Sequence, residues 1–338
     1  LRNGVTTLVK FNEQKQIDSV RGALALRAQI EPIVDKFCQD GYRNICWLGI
    51  GGTWASCLQA EVHMKEMSSL NFFVESAAEY IATGNNRIGE GTIVIISSVT
   101  GSTIEMVDGV KKAQAAGAKG FGFIDKETAA LAEMVDYCIS YPANEQLKFF
   151  MVADCFMKNA GEFDDYDAFY AEMDQYLAKG LAEVEKAADE FGKAYAERHC
   201  EDPIHYFVGA GNQYGATYSY AMCYWEEQHW IRTKSIHSAE FFHGMLEIVD
   251  KNTAVTVFVG EDSQRKLSER VVAFLPKVCA NYEIIDTKDY AIEGISEKYR
   301  GHISHLVMHA VTNRIDAHVE KINCHPMPIR RYYRQFDY

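Results

Sequence analysis

Two side chains suited to proton transfer lie sixteen positions apart in the second half of the chain. Glu227 ends a stretch from Tyr214 whose pattern predicts a helix, and His243 stands beside a glycine in the run AEFFHG, with Glu240 nearby. A carboxylate at a helix C-terminus is opposed by the helix dipole, so a structural role is the less natural explanation for Glu227. With a polar turn between them, Glu227 and His243 could present one base and one acid to a shared pocket. The alternative is that each is a buried, hydrogen-bonded structural residue.

A second group of polar residues surrounds Gly101. Ser98, Thr100 and Thr103, with Ser102 also available, follow the apolar run TIVIISS and precede a predicted helix. Hydroxyls and the N–H groups at a helix start can hold a phosphate dianion without a lysine. Serine and threonine are also the usual N-cap residues, so these side chains could instead serve the helix alone.

A similar turn occurs earlier, where NICWLGI passes into GGTWAS and another predicted helix. Gly52 and Thr53 in this turn are expected to contact the same phosphate. Two such turns in one sheet favour phosphate binding over helix capping. Neither turn has the G-x-G-x-x-G fingerprint or the P-loop pattern, which disfavours a nucleotide. The predicted ligand is therefore a small phosphorylated molecule.

The composition is that of an ordinary globular protein and argues against several classes of partner. Of 338 residues, 48% are hydrophobic and 24% are charged, and the formal net charge is −13. Nucleic-acid binding requires a clustered basic surface, which this charge disfavours. No run is long and apolar enough for a membrane span, and the N-terminus lacks the apolar core of a signal peptide. We therefore expect no nucleic acid, no membrane partner and a cytoplasmic location.

Cysteine and histidine patterns give no metal site. Nine cysteines are scattered without a C-x-x-C pair, mostly in apolar runs, so buried free thiols are expected rather than disulfides. Among the histidines of the last predicted helix, His305 and His309 have helical spacing but lack the glutamate of an H-E-x-x-H motif. We expect no metal.

The elements that must position these residues alternate between strand and helix. Apolar runs at 44–50 and 92–98 each pass through a turn into a helix, which predicts a parallel sheet covered by helices on both faces. Further strands are expected at 71–75, 119–124 and 137–140. The order begins again at residue 203, where 204–208 corresponds to 45–48, 253–259 to 92–96, and 282–285 to 119–124. We predict an α/β fold with two copies of one domain. Its parts are a helical segment 1–40, a first domain 41–200 that includes connecting helices, and a second domain 201–338.

These motifs together resemble those of tandem sugar-isomerase (SIS) domain proteins. The GGTW turn, the S-x-T-G-x-T turn and the run AEFFHGMLEIVD are similar to that family's pattern, and the tail RRYY is similar to that of its fructosamine-6-phosphate deglycases. The resemblance implies two tandem SIS domains, each a flavodoxin-like three-layer sandwich. It also implies roles for the residues named above: general base Glu227, general acid His243, and substrate contacts Gly52, Thr53, Ser98, Thr100, Thr103 and Glu240.

The resemblance implies hydrolysis of a 6-phosphorylated fructosamine, such as fructoselysine 6-phosphate, to glucose 6-phosphate and a free amine. No metal or redox cofactor is expected, because the imine intermediate is itself the electron sink. In relatives the histidine comes from a neighbouring subunit, which implies a homodimer or higher homo-oligomer with shared active sites. Two alternatives remain open: a phosphosugar isomerase or deaminase, and a phosphosugar-sensing module without catalysis. The tail could also cover the active site.

Overall fold

The computed structural model describes residues 8–336. Its main elements in chain order are α1 Glu13–Ala25, α2 Arg27–Asp40, β1 Asn44–Gly49, α3 Gly52–Met67, β2 Phe72–Ser76, α4 Ala77–Thr83, β3 Thr92–Ser98, α5 Ile104–Ala115, β4 Lys119–Ile124, α6 Ala130–Met134, β5 Tyr137–Ile139, α7 Glu145–Asn159, α8 Tyr166–Glu172, α9 Ala178–His199, β6 His205–Gly209, α10 Asn212–Ser219, β7 Thr233–His237, β8 Ala254–Val259, α11 Arg265–Phe274, β9 Tyr282–Asp286 and α12 Glu297–Asn323. Two π-helical turns, Met173–Leu177 and Tyr220–Glu226, continue α8 and α10.

Five parallel strands form the first sheet, in the order β2-β1-β3-β4-β5. Strands β1 and β3 are buried at every position, as expected for central strands covered by helices on both faces. They pair in parallel, with Ile45 opposite Ile93. Leu48, Val94 and Ile96 belong to the apolar core of this sheet. The strands predicted at 92–98 and 119–124 form as expected.

The strand order of the first sheet reverses between β1 and β3. Strand β2 lies beyond β1, whereas β4 and β5 lie beyond β3. Ligands of open α/β sheets bind in the crevice at the carboxyl ends of two such strands. The chain leaves β1 through Ile50–Gly51, here called the β1 turn, and leaves β3 through Val99–Thr103, here called the β3 turn. The two turns identified in the sequence therefore flank this crevice.

The second sheet repeats this order with four parallel strands, β7-β6-β8-β9. Because β6, β8 and β9 take the places of β1, β3 and β4, the predicted internal repeat is confirmed in topology. Strand β7 is not predicted: its sequence TKSIH was expected to be part of a polar turn. It pairs with β6 throughout, from His205 opposite Thr233 to Gly209 opposite His237. Its polar sequence suits an edge strand with no fully buried position.

The described chain divides into two compact units, one for each sheet. The first-sheet unit is Ser19–Asp174, and the second-sheet unit joins the segment ending at Asp18 to the chain from Gln175 onward. Helix α9, which the sequence analysis groups with the first domain, falls in the second-sheet unit, where it packs along α12. The fold class is as predicted, an α/β fold with two parallel sheets flanked by helices.

Candidate active site

The β3 turn brings Ser98 and Gly101 together at the crevice of the first sheet. The Ser98 hydroxyl oxygen accepts a hydrogen bond from the Gly101 N–H at 2.9 Å. Gly101 has a φ of 61°, and a Cβ at this position would lie 2.4 Å from the Cβ of Ala129. The turn therefore requires glycine. Since the Ser98 oxygen accepts in this bond, its hydroxyl hydrogen can still be donated to an anion.

Thr103 occupies the N-cap position of α5, yet its side chain makes no capping hydrogen bond. Helix capping, the alternative raised by the sequence, therefore does not account for this hydroxyl. Thr100 accepts a long contact from the Ser102 N–H at 3.4 Å. Val99 and Ile104 are 65% and 73% exposed, so the turn is accessible from solvent. The β3 turn has the hydroxyls and helix N-terminus that an anion site needs.

The start of α3, which follows the β1 turn, differs, because a carboxylate already contacts its hydroxyls. Thr53 and Ser56, in the first turns of α3, donate hydrogen bonds to the two oxygens of Glu145 at 2.9 and 2.6 Å. A threonine hydroxyl has a single hydrogen, so in this arrangement Thr53 cannot also donate to a phosphate. The contribution of Gly52 and Thr53 to an anion would come from the N–H groups at the start of α3.

The corresponding crevice of the second sheet contains a carboxylate of its own. Gly211, with a φ of 63°, precedes α10 as Gly51, with a φ of 59°, precedes α3. The Asp262 carboxylate accepts hydrogen bonds from the backbone N–H groups of Asn212 at 2.8 Å and Gln264 at 2.9 Å. A Cβ on Gly211 would lie 2.2 Å from this carboxylate. An external phosphate would be repelled here, so the two crevices are chemically different.

Glu227 lies at the C-terminal end of the helix that follows β6. The predicted helix begins at Asn212 and continues beyond Ser219 as the π-helical turn Tyr220–Glu226. The wider winding is seen in the hydrogen bond from the Glu227 N–H to the Met222 carbonyl, five residues back. The Glu227 side chain is 31% exposed. It is thus accessible while its backbone is fixed by the helix.

Residues on either side of Glu227 fasten this segment. Glu226 accepts a hydrogen bond from the Thr233 hydroxyl at 2.8 Å, at the start of β7. His229 is buried, and its Nε2 lies 2.9 Å from a carboxylate oxygen of Asp316 on α12. The two neighbouring side chains therefore hold the backbone in place, and neither of these contacts uses the Glu227 carboxylate.

His243 lies beyond the other end of β7. It ends the 3-10 turn Glu240–His243, which follows the carboxyl end of this strand. The five residues of β7 span roughly 13 Å at about 3.3 Å per step. A strand, rather than only the expected turn, separates Glu227 from His243. Within one chain the two residues therefore lie beyond opposite ends of β7. The side chains of His243 and Glu240 are both exposed.

The C-terminal segment returns to Glu227. Arg330 Nε donates a hydrogen bond to Glu227 Oε1 at 2.8 Å, and Nη2 forms an ion pair with the same oxygen at 2.7 Å. Arg331 places its Cζ 4.2 Å from the centroid of the Trp230 ring, and the His325 ring lies 4.0 Å from the same ring. This segment therefore packs on the turn that carries the predicted base.

The aromatic side chains described in the tail are exposed rather than packed on that turn. A tail that could cover the active site is expected from the sequence. Tyr332, Tyr333 and Phe336 are exposed, and Tyr338 lies outside the described residues. The arginines and His325, rather than these aromatic rings, make the contacts with the Glu227–Trp230 turn.

A buried histidine–aspartate cluster lies near the amino end of β6, and the sequence analysis does not identify it. Asp202 Oδ2 lies 2.7 Å from His199 Nδ1 and 2.9 Å from His205 Nδ1. His205 Nε2 faces the hydroxyls of Thr256 at 2.7 Å and Tyr195 at 3.0 Å. The side-chain ligand atoms of His199, Asp202 and His205 lie within 4.8 Å of one another, a spacing that a metal ion could bridge. Hydrogen bonds to the shared carboxylate oxygen already account for this arrangement.

The protonation of this cluster follows from its burial. Burial lowers the pKa of His205 to about 4. Burial alone would raise the pKa of Asp202, but its hydrogen bonds with His199 and His205 lower it to about 2. For His199, burial opposes the charge, yet hydrogen bonds with Asp202 and Glu283 raise its pKa above the ordinary value. His205 therefore stays neutral more readily than His199, which is the more readily protonated of the two, and both lie beside the Asp202 carboxylate.

Cysteine side chains occur both inside the protein and at its surface. All nine cysteines are free, five of them buried. Burial raises the pKa of the Cys155 thiol to about 12, which makes it a poor nucleophile. Across residues 8–336, no helix combines the length and the apolar character that crossing a bilayer requires.

Three residues at these sites carry little signal in the sequence. Glu145 reaches its partners from the start of α7 and Asp262 from the loop after β8, and neither lies in a recognisable motif. Arg330 is part of the RRYY tail, a motif that could be noticed, but its partner 103 positions earlier could not be deduced from it. The predicted phosphate contacts lie on the first-sheet unit, whereas Glu227, Glu240 and His243 lie on the second-sheet unit.

Comparison with known proteins identifies the domain type of the first sheet. Residues 41–156 match the SIS domain family. This range contains both the β1 turn and the β3 turn, together with all five strands of the first sheet. The region of the first sheet is therefore similar to a SIS domain, and the second sheet repeats the strand order of the first.

Relatives extend this similarity over most of the chain. The chain is 26% identical to fructosamine deglycase FrlB of Bacillus subtilis over 324 residues, which cover 92% of this chain and 98% of that protein. It is 22% identical to fructoselysine 6-phosphate deglycase of Escherichia coli over 262 residues, covering 76% and 77% of the two proteins. A Bacillus subtilis crystal structure, proposed to be of a phosphosugar isomerase, has a TM-score of 0.85 at 25% identity and covers 92% of this chain and 100% of that one. The predicted resemblance to SIS proteins and to the deglycases among them is confirmed.

Proposed function

We propose that this protein processes a phosphosugar and, specifically, hydrolyses a 6-phosphorylated fructosamine to glucose 6-phosphate and a free amine. The observation that carries the proposal is the setting of Glu227. Its carboxylate is accessible, is held at the end of a π-helical turn, and is ion-paired through one oxygen only. Similarity to a fructosamine deglycase and a fructoselysine 6-phosphate deglycase over most of the chain supports the choice of substrate.

The chemistry requires a base that moves one proton between adjacent carbons. In the open-chain ketose amine, Glu227 removes a proton from C1 to form an enaminol, and C2 is then protonated to give an imine at C1. Water adds to this imine, the C1–N bond breaks, and the aldose 6-phosphate and the amine leave. His243 assists ring opening by proton transfer. A positioned side chain typically contributes about 10²–10⁴-fold to each such step.

The phosphate of the substrate is assigned to the β3 turn. Ser98 and Thr103 have hydroxyls that no helix cap uses, and the N–H groups at the start of α5 face the same crevice of the first sheet. Thr100 adds a third hydroxyl. Gly52 and Thr53 contribute backbone N–H groups, because Glu145 accepts from the Thr53 side chain. Glu240 makes a further contact with the substrate.

Several finer features belong to the same proposal. The reaction needs no metal or redox cofactor, because the C2 carbonyl accepts the electron pair released when C1 is deprotonated. The opposite placement of Glu227 and His243 around β7 favours a homodimer, or a higher homo-oligomer, in which the histidine of one subunit serves the glutamate of another. A cytoplasmic location and a small-molecule partner, without nucleic acid or membrane, complete the assignment.

The test is release of glucose 6-phosphate from fructoselysine 6-phosphate, followed with a coupled dehydrogenase. We expect activity in the wild type and a loss of about 10²–10⁴-fold in Glu227→Gln and His243→Asn. Glu226→Gln is the matched control, because Glu226 binds Thr233 and is expected to leave the rate nearly unchanged. An inactive wild type that still isomerises or deaminates a phosphosugar would replace the proposal with that activity. Phosphosugar binding without turnover would make the protein a sensor.

A further inference from the structure

The only ion pair that Glu227 makes among residues 8–336 comes from the C-terminal segment. Nε of Arg330 donates a hydrogen bond to Oε1 of Glu227 at 2.8 Å, and Nη2 lies 2.7 Å from the same oxygen as an ion pair. No hydrogen bond joins Oε2 to the rest of the described chain. The guanidinium therefore binds one oxygen of the carboxylate and leaves the other oxygen available for proton transfer.

The guanidinium is itself held in a fixed orientation. Its third nitrogen, Nη1, donates to the carbonyl oxygens of Met327 and Ile329 in the same segment. The Arg330 side chain is only 20% exposed. Its planar group is thus oriented before any substrate binds, which a flexible ammonium could not reproduce.

The segment that carries Arg330 is fastened beside Glu227 by separate contacts. His325 and Arg331, on either side of Arg330, both pack on the ring of Trp230. Trp230 lies three residues beyond Glu227 and adopts a positive φ of 60°, which is uncommon for a bulky residue. The turn and the segment therefore form one cluster, with the Arg330–Glu227 pair inside it.

We propose that Arg330 is a positioning residue for the general base. It orients the Glu227 carboxylate so that Oε2 takes the proton from C1, and it holds that carboxylate in one rotamer through the catalytic cycle. Within the C-terminal segment, Arg330 alone has this role, and the neighbouring residues only anchor the segment. This inference rests on the proposed role of Glu227 as the base.

The experiment compares Arg330→Lys and Arg330→Ala with Arg331→Lys. Lysine at 331 keeps a cation over Trp230, whereas lysine at 330 loses the planar fork that reaches Oε1. With fructoselysine 6-phosphate, we expect kcat to fall by about 10- to 100-fold in both Arg330 variants, with KM within about threefold of wild type. Arg331→Lys should retain wild-type kcat, and all three variants should unfold at the wild-type temperature. Added guanidinium ion should restore part of the kcat of Arg330→Ala and none of that of Glu227→Gln.

Wild-type kcat in both Arg330 variants, or a rise in KM alone, would overturn the inference. A rise in activity would overturn it as well, because Arg330 would then be an inhibitory plug. A second measurement does not depend on the substrate: labelling of Glu227 by a water-soluble carbodiimide, mapped by mass spectrometry, with exposed Glu226 as the internal reference. Labelling should be slow in the wild type and faster in Arg330→Ala. Equal labelling would show that the ion pair does not form in solution, whether or not the deglycase activity is found.

Discussion

The carboxylate of Asp262 lies 2.8 Å from the backbone nitrogen of Asn212, at the start of α10. This carboxylate stands at the crevice of the second sheet, where the first sheet has its predicted phosphate site. Asp262 also accepts from the Gln264 N–H and is nearly buried. The second domain thus fills its own anion position with a side chain, which leaves one crevice for an external phosphate.

Replacing Asp262 with asparagine should therefore lower the stability of the fold and leave the affinity for the substrate unchanged. The Asp262 carboxylate accepts from the N–H groups of Asn212 and Gln264, at the starts of α10 and α11. Loss of its charge is expected to lower the free energy of unfolding by on the order of 1–3 kcal/mol. Urea unfolding would measure this, with Ser263→Ala, at an exposed neighbour, as the control. An increase in KM with unaltered stability would show instead that Asp262 belongs to a ligand site.

Thr103→Val separates ligand binding from helix capping at the β3 turn. An N-cap threonine normally contributes about 1 kcal/mol to stability, but Thr103 makes no capping hydrogen bond. We therefore expect an unchanged melting temperature together with a 10- to 100-fold weaker affinity for the phosphosugar, the usual effect of losing a hydrogen bond to a charged group, about 1.5–3 kcal/mol. Binding can be followed by calorimetry with fructose 6-phosphate, using Thr83→Val, at an exposed threonine that ends α4, as the control. A lower melting temperature with unchanged affinity would restore the capping interpretation.

Mixed subunits test the separation of Glu227 and His243 by β7. Neither Glu227→Gln nor His243→Asn should be active alone. If one subunit supplies the base and another the acid, a heterodimer of the two variants contains one intact site. Refolding or subunit exchange of an equal mixture should then restore about a quarter of wild-type activity. No recovery, with mixed dimers confirmed by native mass spectrometry, would place both residues of each site in one subunit.

The buried cluster around Asp202 predicts a loss of stability in mild acid. The folded-state pKa of His205 is about 4, below its ordinary value near 6.5, so the unfolded chain binds this proton first as the pH falls. Stability contributed by the neutral imidazole is therefore lost between about pH 6.5 and 4, by on the order of 2–3 kcal/mol. Asp202, with a pKa of about 2, loses its contribution only at lower pH, and the raised pKa of His199 acts only above this window.

Urea unfolding of the wild type and His205→Gln at several pH values would measure this effect. The variant should start from a lower stability but lose less of it between pH 7 and pH 4.5. Parallel curves for the two proteins would mean that His205 does not titrate as described.

Central strands were predictable because their sequences leave little choice. The run TIVIISS is apolar and β-branched and is buried throughout as β3. Strand β7 was missed because TKSIH is an edge strand that pairs with β6 through its backbone and has mostly polar side chains. Pairing with β6 stabilises it, and that information lies in the neighbouring strand rather than in its own residues.

The residues of the candidate site likewise differ in whether the sequence alone could identify them. Ser98 and Thr103 could be identified because a strand-to-helix turn with hydroxyls is a local pattern. Glu145 could not, since it reaches Thr53 across 92 positions. The Arg330–Glu227 pair is equally non-local, and the direction of a side chain at a helix end depends on how that helix is wound.

That winding makes the position of Glu227 sensitive to length rather than to residue type. The π-helical turn Tyr220–Glu226 contains more residues per turn than the α-helix it continues. A deletion that tightens these seven residues into six α-helical ones would turn Glu227 by only a few tens of degrees, because the tighter winding offsets the missing residue. Rewinding with the number of residues unchanged, or a deletion with the winding unchanged, would instead turn it by roughly a quarter to a third of a turn. Length and winding must therefore change together if a descendant of this gene is to keep its base in place.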